Sequence, residues 1–198
     1  MTILDSLHKD HANTLQLLRT LEWQLAEFKV GNQPDYEVVL AAVDYLLNFP
    51  DLSHHPTENL IFDKLTQRAP DVAVSIGDLR DTHASLAART KALADGLRAI
   101  LADAELPREA IVRWSTELID HQRQHIDMEE RAFFNAAAKI LTEEDWRALE
   151  ANIAANIDPL FDANVDGKFA QLRKAIFSWQ RQDEALSANS RAQPRLDA

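Results

Sequence analysis

Along residues 3–29 the positions Leu4, Leu7, His11, Thr14, Leu18, Leu21, Leu25 and Phe28 recur at alternating steps of three and four. That spacing predicts a long helix with one buried seam, and it sets two polar residues, His11 and Thr14, into that seam. Gly31 and Pro34 in the stretch VGNQPD end the helix. A second helix is expected from about Tyr36 to Asn48. The stretch FPDLSHHP then interrupts it with two prolines before helix resumes to about Arg68. Pro56 has no amide hydrogen to donate, so a kink or restart is expected beside His54 and His55.

RAPD at 68–71 is the next break, and a third helix shows Ile76, Leu79, His83, Leu86, Thr90, Leu93, Leu97 and Ile100 at the same period. AELPRE at 104–109 breaks the chain again, with Pro107 suited to the first turn of the next helix. This fourth helix carries Ile111, Trp114, Leu118, His125, Met128, Glu129, Ala132, Ala136 and Ile140 on or beside one face. Four long helices with short links predict an all-α fold, an antiparallel up-down four-helix bundle over residues 1–141 with additional C-terminal helices.

Beyond residue 141 the pattern changes. Thr142 followed by acids in TEEDW predicts a capped helix start. From about Lys168, the residues Phe169, Leu172, Ile176 and Trp179 share one face of a last helix. Residues 142–182 therefore read as a helical extension whose stripe must be covered by the bundle or by a second copy in a homodimer. Residues 183–198 carry little apolar content and read as a disordered tail. DANVDG at 162–167 opens like a calcium loop, but its twelfth position is Arg173 where a glutamate is needed, so a connecting turn is expected.

Composition narrows the functions. The chain of 198 residues has four glycines and is 46% apolar, which suits a helical domain with a core of its own. A net charge of −11 with no basic cluster argues against nucleic acid as a partner. Cysteine is absent, which excludes disulfides, thiolate catalysis and cysteine-held metal or iron–sulfur clusters. Neither a signal peptide nor a membrane span is read from the sequence, so a soluble, cytoplasmic protein with no membrane partner is expected.

The candidate chemistry lies in the histidines. His54 with Glu58 and His125 with Glu129 repeat the spacing His-x-x-x-Glu. Residues four apart on a helix share a face, so each pair aims an imidazole and a carboxylate at one point. His11 and His83 sit in the seams of the other two helices. Burying these six groups in an apolar core is costly unless a cation satisfies them. Mixed imidazole and carboxylate donors suit iron, manganese or zinc, and two carboxylates able to bridge favour a dinuclear centre. Such a set supplies fewer donors than two six-coordinate metals require. An oxo or hydroxo bridge would take up part of the difference, His55 is a candidate further ligand, and one position would stay open for a small molecule.

Plainer roles are read for the neighbours. His55 is as suited to a place behind the ligands or at the surface as to ligation, while His121, four before His125, is read as behind the ligands or at the surface in preference to facing the site. Glu130 reads as solvated or in a surface ion pair, His8 as facing solvent, and Phe62, Phe133 and Phe134 as core. Ferritin-type chemistry is disfavoured, because its Glu-x-x-His spacing does not occur.

The pieces KDHANTLQLL, HHPTENLIFDKL, DTHASL and HIDMEERAFFNAA, in this order, resemble the hemerythrin-like family of HHE cation-binding domains over roughly residues 3–141. The resemblance implies a four-helix bundle holding a non-haem di-iron site, with His11, His54, Glu58, His83, His125 and Glu129 as ligands. Oxygen-carrying hemerythrins differ in having a fifth histidine and a differently spaced carboxylate on the last helix. The ligand pattern is also like that of the iron–sulfur repair di-iron proteins, whose cysteine-bearing N-terminal segment is missing here. The expected function is binding or sensing of a small diatomic ligand or oxidant (O2, NO or a relative) at a carboxylate-bridged centre with two irons per chain. The alternatives are a di-iron enzyme that removes peroxide or NO, and iron handling or iron–sulfur repair.

Overall fold

The computed structural model describes residues 2–153, 158–161 and 167–178. Trp179, the tail from residue 183 and all but the last residue of DANVDG lie outside the described residues. Helices α1 (Ile3–Lys29), α2 (Tyr36–Phe49), α3 (His55–Arg68), α4 (Pro70–Ile76), α5 (Leu79–Leu101), α6 (Arg108–Met128), α7 (Phe134–Ile140) and α8 (Glu143–Glu150) succeed one another. A further helix, α9, covers residues 170–178, and no strand occurs among the described residues.

Local chemistry accounts for most of the boundaries. Thr2 and Asp5 form a reciprocal capping box at the start of α1, and Thr142 with Asp145 does the same for α8. Asp35 and Asp78 cap α2 and α5 through their side chains. Ile76, expected at the head of the third helix, instead closes the short α4. Gly77, with φ of 97°, takes the left-handed turn that Asp78 then caps.

Both rods that carry a His-x-x-x-Glu pair are broken by a π turn. The first, Pro50–His54, joins α2 to α3, and its closing bond runs from His55 N–H to the carbonyl of Pro50. This is the interruption the prolines predict. The second, Glu129–Phe133, joins α6 to α7 and closes from Phe134 N–H to the carbonyl of Glu129. Nothing in the sequence of that stretch signals it, and the periodicity alone predicts an unbroken fourth helix. Single π turns inside α-helices cluster where a side chain must be re-aimed for function.

The helices close into a ring in which α1 packs on α2, α2 on α5, α5 on α6 and α6 on α1. Cross-helix contacts run in opposite chain order around this ring. Arg108 bonds the carbonyl of Phe28, while Arg123 grips Glu22 at 2.7 and 2.9 Å and Glu130 reaches His11. Arg80 pairs with Asp63, and Arg98 pairs with Asp44. Gly96 sits where α5 meets α6, close enough that a Cβ would lie 2.8 Å from the indole of Trp114.

Two apolar clusters fill the interior. One joins Leu17, Leu18, Leu21, Val43, Tyr45, Phe49, Leu93, Leu97 and Leu118 to Leu160, Phe169, Leu172 and Ile176 of the C-terminal segment. The other joins Leu7, Ile61, Leu65, Leu79, Phe133 and Phe134 to Leu141 and Leu149. Along every rod the His and Glu positions fall between the two. His11 separates Leu7 from Leu17, His54 and Glu58 separate Phe49 from Ile61, and His83 separates Leu79 from Leu93. His125 and Glu129 separate Leu118 from Phe133. The polar residues thus form one layer between two apolar plugs.

Candidate metal centre

Within that layer the carboxylates are wholly buried. Glu58 and Glu129 each show 0% exposure, and His11, His54, His83 and His125 are buried around them. Glu58 lies between imidazoles on both sides: one oxygen is 3.2 Å from His54 Nε2 and 3.6 Å from His11 Nε2, the other 3.4 Å from His83 Nε2. Glu129 places one oxygen 3.2 Å from both His11 Nε2 and His125 Nε2, and the other 3.5 Å from His83 Nε2. Each carboxylate therefore faces histidines from three of the four rods.

Two overlapping groups have donor atoms close enough to surround an ion: His11, His54, Glu58 and Glu129 in one, and His55, Glu58, His83 and His125 in the other. Glu58 belongs to both, and Glu129, counted in the first, also lies 3.2 Å from His125 and 3.5 Å from His83 of the second. All six residues read from the sequence as ligands are brought together, and His55 joins them. His55 stacks on His83 with ring centres 3.9 Å apart, while its Nδ1 turns outward to Asp51 at 2.7 Å. His121 does not reach the site; its Nδ1 donates to the carbonyl of Glu117.

Glu130 makes an ion pair at the surface, as one of the two sequence readings has it, with His8 Nδ1 at 2.7 Å, and it also accepts from Nδ1 of the buried His11 at 2.7 Å, which the sequence does not suggest. His8 faces solvent as expected and pairs with Glu130 from there. Asp10 plays the matching part on His54, 3.3 Å from its Nδ1. Sequence reasoning missed both carboxylates as partners because each acts across helices, Glu130 over a separation of 119 residues. Phe134 stacks on His11 with ring centres 5.3 Å apart, so this core residue also walls the site.

The electrostatics ask for a cation. Both oxygens of Glu58 and of Glu129, and both ring nitrogens of His83 and His125, are buried with no hydrogen-bond partner among the described residues. Buried polar groups normally find partners, and orphans gathered at one point are an arrangement that a cation would satisfy. With the Nδ1 protons of His11 and His54 engaged by Glu130 and Asp10, the Nε2 atoms of the two neutral rings would face each other as lone pairs at 3.1 Å. In the metal-free protein protons take the cation's part. Burial opposes charge on His11, but the adjacent Glu129 and Glu58 outweigh it and raise its pKa to about 9. The same balance, led by Glu58 and Asp10, raises His54 to about 10, and His83 rises to about 9. Glu58 is held well below the usual carboxylate range: burial works against its charge, and His54, His11 and His83 overcome it. His125 and His55 move the other way, burial being the first cause, and the neighbouring His83 helps push His55 to about 4. A multivalent cation at the focus of these atoms would satisfy all of them at once.

The chain matches the family described as the hemerythrin HHE cation binding domain over residues 2–137. It belongs to that family of cation-binding domains. No curated protein matches the chain. No helix among the described residues is long and apolar enough to cross a membrane.

Proposed function

We propose that this protein is a di-iron, hemerythrin-like binder or sensor of a small diatomic ligand or oxidant such as O2 or NO. His11, His54, His83 and His125 serve as the imidazole ligands, Glu58 and Glu129 as bridging carboxylates, and His55 as a further ligand on the His83 side. The observation that carries the reading is the set of buried, partnerless carboxylate and imidazole atoms converging on one layer. When bound, two irons would supply a change of charge shared between neighbours and an open position for a small ligand. The chain's own residues do the rest. The neutral imidazoles offer lone pairs that the metal-free protein fills with protons, the two glutamates offset positive charge, and Phe133, Phe134 and Leu7 keep water from one side.

Metal analysis of protein produced with iron should give about two metals per chain, with the near-ultraviolet absorption of an oxo-bridged ferric pair. Protein reduced under anaerobic conditions and then exposed to O2 or NO should change its spectrum reversibly. A protein that stays metal-free after reconstitution would sink the reading. Sustained turnover of peroxide or NO in place of reversible change would make it an enzyme on the same centre.

A further inference from the structure

The two groups of candidate ligands share Glu58 but are supported differently behind their imidazoles. Behind the first, carboxylates hold the far nitrogens: His11 Nδ1 donates to Glu130 at 2.7 Å and His54 Nδ1 to Asp10 at 3.3 Å. Glu130 is steadied from outside by His8. Behind the second, Nδ1 of His83 and Nδ1 of His125 are buried with no hydrogen-bond partner among the described residues. The remaining imidazole there, His55, lies flat against His83 and does have a carboxylate behind it, its Nδ1 meeting the exposed Asp51 at 2.7 Å, so one imidazole of three is backed in this group against both in the first.

A carboxylate on the far nitrogen fixes a ligand imidazole's tautomer and ring angle and makes the metal-facing nitrogen more basic. An imidazole without such a partner is a weaker and less well-aimed donor. We propose that the two metal positions are inequivalent: the one at His11 and His54 fills first and holds its ion more tightly, with Asp10 and Glu130 as its positioning residues. The position at His83 and His125 is the weaker, exchangeable one. Asp10 and Glu130, two carboxylates less exposed than the single Asp51 behind the second group, also favour the more highly charged ion at the first position when the two ions differ. This inference rests on the metal reading above and adds to it an order of filling.

The test is an equilibrium titration of the metal-free full chain with Co2+, tracking visible absorption and the number of ions retained on dialysis. Two resolved steps are expected. Glu130→Gln and Asp10→Asn, which keep side-chain size, should weaken the first step by about 10- to 100-fold and move the second far less. His83→Gln should remove the second step and preserve the first. Thermal melts of the metal-free variants check that each remains folded, and the wild-type titration stands whatever those variants do. Two equal steps in the wild type would overturn the inference, as would Glu130→Gln and Asp10→Asn weakening both steps alike, or His83→Gln abolishing the tight step. Failure of the wild type to bind any Co2+ would overturn the metal reading and the order of filling together.

Discussion

The larger apolar cluster and the His/Glu layer beside it are equally well buried, yet burial does opposite things in the two. Leu17, Leu18, Leu97, Leu118 and Leu172 gain by leaving water, and each stabilises the fold wherever it packs. Glu58, Glu129, His83 and His125 lose hydration and recover nothing from hydrogen bonds within the described protein. The clusters on either side therefore hold the bundle together, and the layer carries a desolvation cost that protons on its histidines, or a cation in their place, would offset. Stability and metal binding should separate under mutation.

The largest effect is expected from truncation after Asn152. It removes Leu160, Phe169, Leu172 and Ile176, all buried in the larger cluster. At about 1.5–3 kcal/mol for each side chain, the loss is comparable with the whole stability of an ordinary domain, about 5–15 kcal/mol. Urea unfolding of the truncated chain should show most of its stability gone. An unchanged midpoint would mean that the C-terminal segment only decorates the bundle, and would break the comparison.

A paired substitution sharpens it. Leu18→Ala should cost about 2–5 kcal/mol by opening a cavity, while leaving the number of bound metals unchanged. Glu58→Gln, nearly equal in size to the native residue, should remove most of the metal while the helical circular dichroism persists. If Leu18→Ala empties the site, or Glu58→Gln leaves it full, the layer and the cluster are not separable.

pH should act in opposite senses on the two forms of the layer. His11 and His83, raised to about 9, and His54, raised to about 10, bind protons more tightly folded than unfolded. Their contribution to metal-free stability is fully present below the ordinary histidine pKa of about 6.5 and is lost as pH rises through about 9–10. Metal competes for the same lone pairs, so its affinity should climb over that window, and binding at neutral pH should release protons. Urea midpoints of the metal-free protein at both ends of the window, with calorimetry in buffers of different ionisation heat, measure the two trends. A metal-free protein that gains stability toward alkaline pH would contradict the account.

The smallest effect lies outside both regions. Arg68 grips Asp145 through two bonds of 3.0 and 2.9 Å and ties α3 to the capped start of α8. Hydrogen bonds from Arg68, then Thr142, hold the Asp145 carboxyl well below the usual carboxylate range. That contribution is present above the ordinary aspartate pKa and is lost as pH falls further. Asp145→Asn should lower the melting temperature slightly at neutral pH, lose that difference in acid, and leave metal content unchanged. A change in metal content would show that the end of the bundle is coupled to the layer.

Much of this protein is written locally. The three-and-four spacing of α1 and α5, the capping residues Thr2, Asp35, Asp78 and Thr142, and the proline-marked turn before His54 are properties of a few adjacent residues. They could be read because helix geometry relates each residue only to those three or four positions away. The two His-x-x-x-Glu pairs belong to the same kind of information, and so does the layer they form with His11 and His83, since each rod alternates apolar, polar and apolar blocks at matching heights. The π turn at Glu129 is different. No proline forces it, and the chain there would otherwise continue as ordinary helix. The partnership of Glu130 with His11, the stacking of His55 on His83 and the support of His54 by Asp10 likewise depend on distances between rods. Those distances are set by how the clusters above and below the layer pack, a sum over many side chains far apart in the chain. The sequence determined which groups could face a cation; packing decided which nitrogen faces which oxygen, and which carboxylates stand behind them.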